Sequence, residues 1–159
     1  MEKDNFERMI QLAEEFFDAK NDPDQLSINE EVIEQLRELH PSAVTEETDN
    51  NGPIAWMIII PTTRKLMDQF IGGTINEREL FAMTPRGASY EAVYLCSALV
   101  LPEHRRKGLA KRMVVNALAE IRQKHPVGTL FTWSFSAEGE SLAEAVAKEA
   151  GLPLRKRER

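Results

Sequence analysis

The sequence predicts a single α/β domain in which a central mixed β-sheet is flanked by α-helices, with a helix-rich N-terminal half. Several segments carry apolar residues at helical spacing, and they alternate with short apolar runs rich in β-branched residues. The run from Tyr90 to Leu101 is mostly apolar on both faces, which is typical of a central strand covered by helices on each side. A chain of 159 residues is long enough to bury one core.

Two amphipathic helices are predicted in the first forty residues. The first begins at a capping box formed by Asp4 and Glu7 and ends at Asp22-Pro23. The second begins near Ser27 and ends at His40-Pro41. The apolar positions of the first helix follow a helical period and are Phe6, Met9, Ile10, Ala13, Phe16 and Phe17.

The middle of the chain is predicted to contain one strand and two helices. Residues 42–53 are dense in turn signals and are expected to form a polar loop. The β-branched run from Ile54 to Ile60 predicts a buried strand. A helix is expected to begin at Pro61, and Asn76 and Glu79 can cap a short helix after it.

The C-terminal quarter is predicted to add a strand, a helix and an edge strand. The strand runs from Leu130 to Phe135, and the alanine-rich helix lies between Ser136 and Ala150. Leu152 to Leu154 can form a short edge strand. Residues 1–154 are therefore expected to form one domain, and residues 155–159 a basic tail.

Charge and cysteine content narrow the classes of function. The net charge of −6 divides into −11 over residues 1–50 and +5 over the remainder. The acidic part could attract a cationic substrate or could consist of solvated helix faces. The overall acidity disfavours nucleic acid as the main partner. Association of two copies of the chain into a homodimer stays open.

Other sequence features concern location and metal binding. The single cysteine, Cys96, suits a reducing cytoplasm, and the acidic N-terminus does not read as a secretory signal. No apolar run approaches the roughly 20 residues that cross a bilayer, so no membrane association is expected. Three scattered histidines and one cysteine do not give the spacing of a metal site.

A basic turn after the longest strand is the clearest functional signal. The strand runs into Pro102, and Arg105, Arg106, Lys107 and Gly108 follow. Such a turn at a helix N-terminus can direct several backbone N–H groups at one anion, here a pyrophosphate. The helix behind it has one apolar stripe, formed by Leu109, Met113, Val114, Ala117, Leu118 and Ile121.

The segment Arg105-Arg106-Lys107-Gly108-Leu109-Ala110 resembles motif A of the GNAT superfamily of N-acetyltransferases, whose signature is Arg/Gln-x-x-Gly-x-Gly/Ala. The preceding Val100-Leu101-Pro102 matches the usual end of that family's fourth strand. The resemblance covers about residues 90–152. It implies a GNAT-like fold, acetyl-CoA as cofactor, and direct transfer of acetyl to a primary amine of a small molecule or peptide.

The resemblance also implies a set of cofactor contacts. The pantetheine arm would lie between two splayed strands, the second being Leu130 to Phe135, and an N–H near Val100 would stabilise the oxyanion. The N–H groups of Arg106 through Ala110 would hold the pyrophosphate. The residues implied in cofactor binding are Leu99, Val100, Leu101, Arg105, Arg106, Lys107, Gly108, Leu109 and Ala110.

Catalytic residues are less clearly indicated. Some relatives carry a general base eleven residues before the motif, which here is Tyr94. Glu91 and Ser97 are further candidates, but simple alternation places them on the face opposite to Tyr94. The general acid of many relatives, a tyrosine, is replaced by Ala147. Structural roles stay open as alternatives: core packing for Tyr94, Cys96 and Trp133, and a solvent-facing position for Glu91. Ser97 and Ser134 could contact the acetyl group or the thiol, or could be ordinary small polar residues of a strand.

Two other kinds of function are consistent with these features. A catalytically silent CoA-binding module would also need the basic turn, and the missing tyrosine favours it. An interaction protein could use the same turn to bind an unrelated anion or an acidic partner.

Overall fold

The computed structural model describes residues 4–19, 29–134 and 136–158. Its helices are α1 (Asn5–Ala19), α2 (Glu30–Leu39), α3 (Arg64–Ile71), α4 (Glu77–Met83), α5 (Leu109–Arg122) and α6 (Ala137–Ala150). Its strands are β1 (Val44–Asp49), β2 (Gly52–Thr62), β3 (Ala92–Val100), β4 (Thr129–Thr132) and β5 (Leu154–Lys156). The helix end at Asp22-Pro23, the helix start near Ser27 and the strand end at Phe135 lie outside the described residues.

The strands form one mixed sheet in the order β1-β2-β3-β4-β5. β1, β2 and β3 are antiparallel neighbours, whereas β4 runs parallel to both β3 and β5. Crossover helices α5 and α6 join the parallel strands, as such connections require. The predicted α/β class and mixed sheet are confirmed.

Helices cover both faces of the sheet. One buried cluster joins Met9 of α1, Met113 of α5 and Val146 of α6 to the sheet, and we call this side the α5 face. The other cluster contains Leu36 of α2 and Phe70 of α3, and we call it the α3 face. β2 and β3 are therefore buried from both sides, which explains their long apolar runs.

Capping side chains fix several helix starts. Asn76 and Glu79 form the predicted capping box at α4, with both reciprocal hydrogen bonds present. At α1 the carboxylate of Asp4 accepts a hydrogen bond from the Glu7 N–H at 2.8 Å. Gly151 ends α6 with φ of +69°, a left-handed cap that glycine adopts without a steric penalty.

The prediction for residues 42–53 is wrong. Most of this segment forms β1 and the start of β2, joined by a hairpin turn at Asn50 and Asn51. Within the described residues, two strands therefore precede Tyr90, whereas one was predicted. β1 is an edge strand with one apolar residue, Val44, so its sequence gives little β signal.

Two further boundaries differ from the prediction. Pro61 lies within β2, and α3 begins at Arg64 after its cap Thr63. The strand tolerates Pro61 because β1 pairs with β2 only as far as Ile58, leaving the end of β2 without that neighbour. The tail prediction is wrong for Arg155 and Lys156, which belong to β5.

Candidate active site

The two central parallel strands separate partway along the sheet. Pairing of β3 with β4 extends from Ala92 and Thr129 to Tyr94 and Phe131. β4 ends at Thr132, whose hydroxyl donates to the Leu95 carbonyl at 3.4 Å. β3 continues to Val100 with no strand beside it on that edge among the described residues. We call the opening beside residues 96–100 the β3–β4 gap.

A β-bulge lies where the two strands part. Ser97 is the partner of Ile58 in β2, but Leu95 is the partner of Ile59, so Cys96 is the additional residue. Tyr94 is the partner of Ile60, which lies on the same side of β2 as Ile58. The bulge therefore places Tyr94 and Ser97 on one face, contrary to the alternation expected from the sequence.

Backbone groups at the end of β3 face the gap. The Leu101 N–H donates to the Ile54 carbonyl of β2 at 2.9 Å, so the backbone groups of Leu101 point toward β2 and away from the gap. Leu99 lies two residues earlier in the strand, and its backbone groups therefore point the same way. Val100 alternates with them and faces the gap. Its carbonyl accepts a 2.9 Å hydrogen bond from Arg105 Nε, and its N–H points the same way. Of the three strand residues implied in cofactor binding, Val100 alone directs backbone polar groups there.

The basic turn presents exposed cations and left-handed backbone. Arg106 has φ of +64° and Gly108 has φ of +73°, whereas Arg105 is extended. A non-glycine residue such as Arg106 seldom adopts that conformation. Arg105, Arg106 and Lys107 are exposed and form no ion pair with a described carboxylate. The turn therefore keeps its positive charge available for an anion.

Helix α5 begins directly behind this turn without a side-chain cap. Its first backbone hydrogen bond runs from the Arg112 N–H to the Gly108 carbonyl at 3.0 Å. Within the described part of the chain, the N–H groups of Leu109, Ala110 and Lys111 have no acceptor. Three donors and the positive end of a helix dipole thus point toward the turn.

Polar contacts connect the residues that precede the basic turn to the rest of the protein. Arg8 of α1 donates two hydrogen bonds to Glu103, both at 2.6 Å. These bonds lower the pKa of Glu103 from 4.5 to about 2. His104 lies 3.7 Å from Asp49, which also accepts a 2.9 Å hydrogen bond from Asn5. Because Glu103 is paired with Arg8, its carboxylate is not paired with the cations of the adjacent basic turn.

The structure places Tyr94 in the core, the alternative left open by its sequence. Its side chain is 1% exposed and packs against Phe70 and Phe131, with ring centroids at 5.0 and 5.1 Å. Its hydroxyl donates to buried Glu77 at 2.6 Å. Burial, followed by the negative charge of Glu77, raises the pKa of Tyr94 well above 10.0. A proton donor with these properties is poorly suited to act at an open gap.

The other two catalytic candidates lie far apart along the strand. Glu91 is exposed and precedes β3, where its backbone pairs with Thr62 and Gly128. Five residues separate it from Cys96, roughly 16 Å along a strand. The bulge comes after Tyr94, so it does not turn Glu91 toward Tyr94. Ser97 is half-buried and lies beside the gap, the only catalytic candidate of the three that does so.

Trp133 and Ser134 directly follow β4, the strand across the gap from β3. Ser134 is half-buried, and its hydroxyl oxygen is buried without a hydrogen-bond partner among the described residues. Trp133 packs edge-on against Phe70, with centroids 6.1 Å apart. Ala147, where many relatives carry tyrosine, is 6% exposed and packs in the core. That position therefore supplies no hydroxyl.

Arg157 is a residue that sequence reasoning missed. Its guanidinium carbon lies 4.6 Å from the Phe70 ring centroid and 4.5 Å from that of Trp133. Its backbone N–H donates to Thr132 at 2.9 Å, and its Nη1 donates to the Ile75 carbonyl at 2.9 Å. Arg155 and Arg157 are two residues apart, which is the spacing of side chains on one face of a strand, and this spacing was the available sequence signal. The signal was obscured because both residues lie in a run of basic residues.

Two searches of the described residues concern metals and membranes. No group of three or more histidine, cysteine, aspartate or glutamate side chains in the described ranges is placed to hold a metal ion. None of the described helices has the length and apolar character needed to span a membrane.

Comparisons with known proteins place this fold in a family. The family model described as "Acetyltransferase (GNAT) family" matches residues 6–137. The chain resembles the apo crystal structure of an aminoglycoside antibiotic 6′-N-acetyltransferase from Acinetobacter haemolyticus, with 16% identity and a TM-score of 0.44. That alignment covers 97% of this chain and 87% of the other. No match is found among curated proteins. Because the family model spans most of the chain, the protein belongs to the GNAT family of acetyltransferases.

Proposed function

We propose that the protein is an acetyl-CoA-dependent N-acetyltransferase that modifies a primary amine of a small molecule or peptide. The observation that carries this proposal is the continuity of the β3–β4 gap with the uncapped N-terminus of α5. The gap offers backbone hydrogen bonding at Val100, and the basic turn offers an anion site a few residues later. An elongated ligand with a diphosphate at one end suits both features.

The chain's groups suit acetyl-CoA in chemical type. The N–H groups of Leu109, Ala110 and Lys111 can donate to a pyrophosphate, and the exposed Arg106 and Lys107 add attraction. When bound, acetyl-CoA supplies a thioester carbonyl that a neutral amine can attack. The pyrophosphate therefore suits the cationic turn, and the extended pantetheine arm with its amide groups suits the open edge of β3.

Positioning and oxyanion stabilisation are the main tasks left to the protein. The Val100 N–H can donate to the oxygen on which negative charge develops, because it faces the gap. Ser97 lies beside the gap, and Ser134 follows the end of β4 with a buried hydroxyl that has no hydrogen-bond partner among the described residues. Holding two reactants in one geometry can alone lower the barrier by several kcal/mol, about 7–11 in well-oriented intramolecular reactions.

Calorimetric titration tests the cofactor assignment. Wild-type protein is titrated with acetyl-CoA, CoA and inorganic pyrophosphate, and the Gly108→Val variant is titrated in parallel. We expect micromolar binding of acetyl-CoA that is much tighter than binding of pyrophosphate and that depends on Gly108. Equal affinity for pyrophosphate and acetyl-CoA would instead indicate a general anion site.

A catalytically silent CoA-binding module is a second candidate, favoured by the positions of the tyrosines. The chain has two, and Tyr90 and Tyr94 are both 1% exposed. Their hydroxyls donate to Pro85 and Glu77, so neither is free to donate a proton in the gap. Turnover with a broad amine panel separates the two candidates, because a silent module binds acetyl-CoA but releases no CoA.

A further inference from the structure

Arg157 is held rigidly beside the end of β4. The guanidinium lies in the corner formed by the rings of Phe70 and Trp133, whose planes are at 80° to each other, and Nη1 donates to the Ile75 carbonyl. The backbone of Arg157 is bonded to Thr132, the last residue of β4. Contacts with two rings and the hydrogen bond to Ile75 restrain the guanidinium, so less conformational entropy is lost when its remaining donors bind a ligand.

Arg157 forms no ion pair with a carboxylate in the described part of the chain, although its charge acts on buried Tyr94, whose hydroxyl donates to Glu77. Its two neighbours differ in this respect. Arg155 pairs with Asp68, and Lys156 pairs with Glu140 and Glu144. A half-buried arginine normally acquires an anionic partner, because burial of a lone charge is unfavourable. A bound ligand can supply that partner.

Solvent reaches this arginine. Arg157 lines an open depression of about 440 Å³ between the C-terminal turn of α3 and the end of β5. Gly72 and Gly73 form one side of it, without side chains that would fill the space. Glu158 lines the same depression, but it is exposed and makes no ion pair with Arg157. A small polar ligand can therefore approach the guanidinium.

Arg157 lies on the face of the sheet opposite to the anion-binding turn. Phe70, against which it stacks, belongs to the cluster of the α3 face. The basic turn leads into α5, which packs on the α5 face. The proposed cofactor site therefore leaves the α3 face, where Arg157 and Trp133 flank the end of β4, as the side from which an acceptor can approach.

We infer that Arg157 binds a carboxylate of the acceptor, so that the preferred acceptor is an amine that also carries a carboxylate group. This inference rests on the proposed function. A planar guanidinium with several free donors can bind a carboxylate through two parallel hydrogen bonds. The acidic first third of the chain would favour a polyamine instead, so the two expectations give opposite substrate preferences.

Matched acceptor pairs test this inference. Each pair consists of an amino acid and the amine left after its decarboxylation, for example lysine and cadaverine. The ratio of kcat/KM within each pair is measured for wild type, Arg157→Gln and Arg155→Gln. We expect wild type and Arg155→Gln to prefer the carboxylate member at least tenfold, and Arg157→Gln to lose that preference. Arg155→Gln removes the same charge two residues away, where Asp68 already neutralises it.

Binding measurements separate this inference from the proposed function. Acetyl-CoA affinity and melting temperature are recorded for all three proteins, and amino acid binding is followed by calorimetry. Arg157-dependent amino acid binding without turnover would support the carboxylate site while contradicting transferase activity. Turnover that is equal within each pair, or a preference that survives in Arg157→Gln, would overturn the inference and leave the proposed function in place. Absence of both binding and turnover for the carboxylate members would also overturn it.

Discussion

Replacement of Gly108 by valine should separate cofactor binding from folding. Gly108 has φ of +73°, and a Cβ atom built there meets no atom within 4 Å. The free protein therefore has room for a side chain, and the cost of substitution is conformational. A bound phosphate, however, must approach the backbone of this turn closely, and the valine side chain would keep it away.

The size of the folding effect follows from the backbone angle. Holding a non-glycine residue in the left-handed region costs on the order of 1–3 kcal/mol. For a domain of this size each kcal/mol lowers the melting temperature by about 2–4 °C, so we expect a decrease of roughly 2–12 °C. Gly151 is the matched control, because it has φ of +69° and open space around its Cβ position, but it caps α6 away from the turn.

The assay combines melting temperature with calorimetric titration of acetyl-CoA. Gly108→Val and Gly151→Val should show similar decreases in melting temperature. Affinity should decrease at least tenfold in Gly108→Val alone, which corresponds to about 1.4 kcal/mol of binding free energy. Unchanged affinity in Gly108→Val, or an equal loss in Gly151→Val, would refute the assignment of this turn to phosphate binding.

Two further substitutions test the core and the support of the turn. Tyr94→Phe should lower the free energy of unfolding by about 1–3 kcal/mol, because buried Glu77 loses a hydrogen bond. It should leave the dependence of turnover on pH unchanged between pH 6 and about 9, since the pKa of Tyr94 lies well above 10.0; a changed profile would restore its proton-transfer role. Glu103→Gln removes a carboxylate whose folded-state pKa of about 2 lies below 4.5, so its stabilisation is complete above pH 4.5 and is lost as the pH falls toward 2. The difference in melting temperature from wild type should therefore shrink over that range, and a constant difference would show that the Arg8 pair does not stabilise the fold.

The features that could be predicted from the sequence are encoded locally. The capping box of Asn76 and Glu79 involves residues three apart, and its side-chain chemistry fixes the helix start. The turn before α5 is equally local, because Gly108 supplies a left-handed residue directly before an apolar helical stripe. These signals do not depend on where the rest of the chain lies.

The features that were missed depend on distant partners. β1 reads as a loop because five of its six residues are threonine or acidic, and it becomes a strand through pairing with β2. Arg155 and Lys156 read as a solvated tail because of their charge, but β4 provides the parallel edge with which they pair. Arg157 was missed for the same reason, since its aromatic neighbours come from α3 and from the residue after β4.

The bulge at Cys96 was beyond sequence reasoning because both faces of β3 are apolar. A one-residue shift therefore leaves the hydrophobic pattern almost unchanged. The structural consequence is nevertheless large. Before the bulge, β3 pairs with strands on both sides and buries Tyr94, whereas after it β3 pairs with β2 alone and turns the Val100 backbone to the gap.

A bulge increases the local twist of a strand, and here it coincides with the end of pairing between β3 and β4. The gap therefore follows from the path of β3 itself as well as from the shortness of β4. The same irregularity brings Ser97 to the face that carries Tyr94, so one additional residue both marks the start of the gap and determines which side chains of β3 lie beside it.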